Sequence, residues 1–189
     1  MTKKRPAVFG LGLLLALTGC RISSDTPSLT SPGANSVTEG AARIQRGDTV
    51  TIGSMVGCLD KAGSVTVTDI APVNDTGIKV TAWAVRPNPF WKAPDPAPPV
   101  GGQIGVARTT LAKLLFPTSK VVDAECGHDG EGYEFAVQVV KTTSGPAGAS
   151  GWVVTYTSDG KTKKFGFTLA VRLCSEKVSW SKQCRALKV

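Results

Sequence analysis

Five stretches alternate apolar and polar residues with a period of two, and this pattern constrains the fold more than any other feature of the chain. In 64–70 (SVTVTDI), Val65 and Val67 alternate with Thr66 and Thr68. In 77–85, Ile78, Val80, Ala82 and Ala84 fall on one face, with Lys79, Thr81, Trp83 and Val85 on the other. Tyr133, Phe135, Val137 and Val139 share a face in 133–140, as do Trp152, Val154 and Tyr156 in 151–158. In 164–173 the shared face is Phe165, Phe167, Leu169, Val171 and Leu173. Side chains alternate between the two faces of a strand, so these runs predict half-buried antiparallel strands. Helical spacing is confined to 107–116 (ARTTLAKLLF), which fits two amphipathic turns ended by Pro117, and a loop with one strand fits almost as well.

The punctuation agrees. Asn74-Asp75-Thr76-Gly77 and Ser158-Asp159-Gly160-Lys161 supply residues that tolerate the positive φ of tight turns. Short strands at this spacing predict an all-β fold, an antiparallel two-sheet sandwich, immunoglobulin-like in the loose sense. The folded domain is expected over 48–189. Residues 21–47 are dominated by Ser, Thr, Gly, Pro and Ala and read as a flexible spacer behind residue 20, with a mean reach of roughly 30 Å.

The first nineteen residues read as an export signal. Lys3, Lys4 and Arg5 precede an apolar run from Pro6 to Leu17, too short for a membrane span of about 20 residues. The run ends in Leu17-Thr18-Gly19-Cys20, which resembles the lipobox of bacterial lipoproteins. The resemblance implies cleavage before Cys20, a diacylglyceryl group on its thiol, and a place on the extracytoplasmic face of the cell membrane. Two or more acyl chains (palmitate is typical) anchor stably, whereas one chain is marginal. GSVTVTDI and AVRPNPFW also resemble uncharacterised lipoproteins of high-GC Gram-positive bacteria, which implies location but no activity. Removal of the signal takes three positive charges and lowers the net charge from +8 to +5.

With Cys20 lipidated, Cys58, Cys126, Cys174 and Cys184 remain to pair on the oxidising side of a membrane. A zinc site would need reduced thiols and closer spacing. If 133–140, 151–158 and 164–173 form a meander, Cys126 and Cys174 lie at opposite ends of it, beyond the ~7 Å that a bridge allows. Cys174 and Cys184 enclose nine residues and can close locally, which leaves Cys58–Cys126. The other two pairings stay formally open.

Three segments are candidates for function. Residues 86–102 hold six of the twelve prolines around Phe90 and Trp91, either an aromatic-tipped binding loop or a stiff crossover whose aromatics cap the core. Residues 123–134 carry five carboxylates and no base. There His128, Asp129, Glu131 and Glu134 are weak candidates for a divalent cation, without EF-hand spacing. From Lys161 onward eight basic residues face one acid, Glu176. Outside the cell such a patch suits lipid headgroups or an anionic wall polymer rather than nucleic acid.

Catalysis is not expected. His128 is the sole histidine, and no nucleophile elbow or phosphate loop is present. No cofactor is expected. The expected function is a lipid-anchored, non-catalytic binding or interaction module at the membrane–wall interface. Its partners would be the membrane through Cys20 and an anionic wall polymer or another surface protein. The alternative is an extracytoplasmic ligand or metal carrier using the 123–134 loop.

Overall fold

A computed structural model describes residues 26–32, 37–88, 105–127, 132–176 and 182–187. The strands are β1 (Leu29–Thr30), β2 (Val37–Ala41), β3 (Thr49–Leu59), β4 (Val65–Val73), β5 (Ile78–Pro87), β6 (Val106–Ala107), β7 (Val121–Val122), β8 (Tyr133–Lys141), β9 (Ala147–Ala149), β10 (Gly151–Ser158), β11 (Lys161–Phe167) and β12 (Leu169–Leu173). A single helical turn, α1 (Lys182–Arg185), follows.

The protein is all-β and sandwich-like. One sheet runs β1-β3-β8-β5, with β6 also on β3, and a second runs β11-β10-β4-β7. A third, small sheet, β2-β12-β9, includes a parallel pair, β12 with β2. Alternating apolar residues of the two larger sheets meet in one core. Phe135 from the first packs at 5.3 Å on Phe167 from the second, and Phe165 meets Phe167 edge-on at 5.0 Å. Trp152 is fully buried in the same cluster.

Several expectations are corrected. The expected spacer belongs to the fold over much of its length: β1 pairs antiparallel with β3, and β2 pairs with β12. Leu29 and Ile44 are buried. Polar composition does not prevent ordering when a distant strand edge supplies the hydrogen bonds. The expected meander is also absent. Both edges of β8 are taken by β3 and β5, and β9 carries the chain across before β10 begins. The 164–173 run breaks at Thr168, so β11 pairs with β10 while β12 joins the third sheet. Phe167, Leu169, Val171 and Leu173 are nonetheless all buried.

The faces of β5 exchange midway. Val80 lies opposite Val139 but Ala82 lies opposite Gln138, so Thr81 is an extra residue. A one-residue bulge sends every later side chain to the other face. Ile78 and Val80 therefore face the main core, and beyond Thr81 it is Trp83 and Val85 that do so. Ala82 and Ala84 turn to a second cluster, with Leu111 and Ala136. The 107–116 stretch lies over this outer face as β6 and one 3-10 turn, Ala112–Leu114, not two helical turns.

Disulfides join Cys58 to Cys126 and Cys174 to Cys184, with Cα separations of 5.1 and 5.8 Å. The first rests on a geometry other than the meander. Cys126 N–H donates to Leu59 O and Leu59 N–H to Ala124 O, which holds 124–126 beside the end of β3. Of the two turn motifs, only Asp159-Gly160 closes a hairpin, with both residues at positive φ as a type I′ turn requires. Asn74–Gly77 instead carries the chain from one sheet to the other.

Candidate functional site

The crossover between sheets leaves two strand edges side by side. β5 is the last strand of its sheet, and β7 covers only the start of β4. Val73 O accepts from Ser150 N–H on the β10 side. By alternation the backbone groups of Ile70 and Pro72 face away from β10. Asn88 N–H donates to Gly132 O on the β8 side, so Pro87, Val85 and Trp83 face outward. Proline fits such outward positions because it has no N–H to leave unpaired. Ile70, Val80, Trp83 and Val85 have no outward backbone partner among the described residues.

An open groove of about 460 Å³ runs between these edges, lined by Asp69–Pro72, Val80–Trp83 and Lys120. A more apolar cavity of about 310 Å³ adjoins it, between Trp83, Leu111, Phe116 and Lys120. Trp83 and Lys120 line both. The Lys120 ammonium lies 4.4 Å from the Trp83 ring centroid, a cation–π contact. Leu115, exposed at 72 %, projects from the turn beside the smaller cavity. By alternation the sequence places Trp83 on the strand face with Lys79, Thr81 and Val85. The structure makes it the half-buried wall between two cavities. Nothing in the sequence links it to Lys120, which tertiary folding alone brings to the ring.

Behind the second cavity lies a buried ion pair. Arg86 and Glu134 are cross-strand neighbours on β5 and β8. Arg86 Nη2 lies 2.7 Å from Glu134 Oε2, and Arg86 Nε donates to the same oxygen at 2.8 Å. Arg86 Nη1 donates to Leu114 O at 2.7 Å, and the guanidinium stacks 4.1 Å from the Phe116 ring centroid. Glu134, a candidate cation ligand by sequence, is thus engaged inside the domain as the partner of Arg86. His128, Asp129 and Glu131, like Phe90, Trp91 and Cys20, lie outside the described residues. From the acidic stretch, Asp123 accepts a 2.6 Å hydrogen bond from Tyr133 Oη. Burial and this carboxylate push the Tyr133 phenol up to about 12. Among the described residues no three His, Cys, Asp or Glu side chains gather as metal ligands. Asn88 N–H donates to Gly132 O at 2.8 Å, so the last described residue before Phe90 and the first described residue after Glu131 are neighbours.

Two further titratable groups, Lys141 fully buried and Glu39 half-buried, do not serve the groove. Lys141 donates from Nζ to Ile44 O at 2.8 Å and to Ser175 Oγ at 2.6 Å, tying the loop before β3 to the end of β12. Burial lowers its pKa. Glu39 on β2 faces Gly105 and Ser54, and its Oε2 is buried without a hydrogen-bond partner. Burial raises the Glu39 carboxyl to about 7 from 4.5. Between those values the unfolded chain is ionised while the folded one still holds its proton. The contribution of Glu39 to stability is therefore complete below pH 4.5 and is lost as pH rises through 7. Glu39→Gln should melt with the parent protein at pH 4 and above it at pH 8. Equal melting temperatures at both would show that the carboxyl is solvated.

No protein-family model matches the chain, and no curated protein matches it.

Proposed function

We propose that this chain is a lipid-anchored protein of the extracytoplasmic membrane face whose sandwich is a non-catalytic binding module. The groove beside Trp83 would take an extended segment of another surface protein. The observation that carries this reading is the edge of β5 and the part of β4 beyond β7, which have no backbone partner among the described residues and flank an open groove walled by Trp83 and Lys120. Small-molecule sites enclose most of their ligand, and this groove is too open for that. An extended polypeptide can instead add a strand to a free edge, with the backbone supplying affinity and side-chain pockets supplying specificity. The apolar cavity next to Trp83 offers such a pocket.

The test is selection of a displayed random-peptide library on the mature domain, followed by affinity measurements on Trp83→Ala and Lys120→Ala. Truncation of an interface aromatic should weaken the selected peptides about ten-fold or more, with the disulfides and fold retained. Peptides that bind both variants like the parent protein, or no enrichment at all, would move the function away from the groove.

A further inference from the structure

Docking of the N-terminal segment makes the lipid tether short. Thr26 O and Pro27 O accept from Lys163 Nζ at 3.1 and 3.3 Å, and Pro27 O also accepts from Ser158 Oγ at 2.8 Å. Ser28 N–H donates to Asp60 Oδ1 at 2.8 Å, and Asp60 N–H returns a bond to Ser28 O. Leu29 N–H donates to Tyr156 Oη at 3.2 Å, and its side chain is buried. The chain is thereby fastened between the β3–β4 turn and the β10–β11 hairpin. Only residues 21–25 separate Cys20 from Thr26. The covalent chain from Cys20 to Thr26 can span at most about 20 Å. That limit compares with a Debye length of about 8 Å at physiological ionic strength.

The hairpin at this point of attachment is basic. Lys161, Lys163 and Lys164 occupy β11 against one carboxylate, Asp159, at the turn, and Lys161 and Lys164 are exposed. Two carboxylates lie at the same end: Glu125, which pairs with Leu59 across from β1, and Asp60, which accepts from Ser28 N–H. The tether joins the end between Asp60 and the lysines of the hairpin.

We propose that the domain lies on the bilayer by this end, with the β10–β11 hairpin against anionic phospholipid headgroups. The inference rests on the lipid-anchored reading and adds to it a membrane-facing surface and an orientation. A lysine near an anionic membrane gains enough to change its occupancy there about five-fold.

The test reconstitutes the mature acylated protein into phosphatidylcholine vesicles with and without phosphatidylglycerol. Lysine acetylation rates are then read by mass spectrometry, with detergent-solubilised protein as reference. Lys79 is the internal control, because it is exposed on β5 of the other sheet, just after the crossover at the far end of β4. Acetylation of Lys161 should slow about five-fold or more on phosphatidylglycerol vesicles, recover with salt, and stay unchanged on phosphatidylcholine. Lys161 reacting equally in all three settings would overturn the docking and leave the anchor intact. Equal protection on both vesicle types would overturn headgroup recognition and leave only closeness imposed by the tether. An intact mass without a lipid on Cys20 would remove the anchored reading itself.

Discussion

Arg86→Leu should lower the stability of the domain by about 3–5 kcal/mol, measured by denaturant unfolding. Arg86 is buried, and its guanidinium meets Glu134 Oε2, Leu114 O and the Phe116 ring together. Its removal leaves the buried Glu134 carboxylate without its cation, with Ser54 N–H 3.4 Å from Oε1, and a backbone carbonyl without its donor. The cost of a buried, uncompensated charge exceeds the worth of the pair itself. Arg86→Met combined with Glu134→Leu should therefore recover most of the loss, since apolar replacements of similar volume often match a buried pair. The two variants together separate two pictures. A single-variant loss below about 1 kcal/mol would mean that water reaches the pair, as at exposed ion pairs. A large loss that the double variant does not recover would mean that Leu114 and Phe116 depend on the guanidinium for their position.

Cys58→Ala/Cys126→Ala should cost about 4 kcal/mol, and Cys174→Ala/Cys184→Ala about 3 kcal/mol, in the chain-entropy account of cross-links. The difference follows from loop length, because the bridges close separations of 68 and 10 residues. The longer bridge also lies beside the Leu59 hydrogen bonds that hold 124–126 against β3. Unfolding of the two variants with matched denaturant slopes checks the order. A greater loss from the shorter bridge would show that α1 and the end of β12, rather than unfolded-state entropy, dominate.

The β assignments were legible because each run carries its own alternation. Val65 and Val67, Phe135 to Val139 and Trp152 to Tyr156 are buried as their period requires. The Asp159-Gly160 hairpin was equally legible, because its φ requirement is local. The bulge at Thr81 was not. Nothing in GIKVTAWAV marks one residue as extra, and the exchange of faces follows from the register against β8. The break at Thr168 was hidden for a similar reason: the apolar face continues through it while the hydrogen-bonding partner changes.

The candidate site divides along the same line. Local chemistry in the sequence pointed to Cys20, Phe90, Trp91 and the acidic segment, each a cluster of unusual residues close together. The groove, the Trp83–Lys120 contact and the Arg86–Glu134 pair join residues 37 and 48 positions apart, and no short-range pattern announces them. By itself the sequence determined the secondary-structure class and the places where the chain turns, because these depend on neighbouring residues. Only the tertiary structure decided which strands share a sheet, that the supposed spacer is tied down at Thr26, and which side chains meet across the fold. Those outcomes are set by competition among distant backbone edges and apolar faces for the same partners.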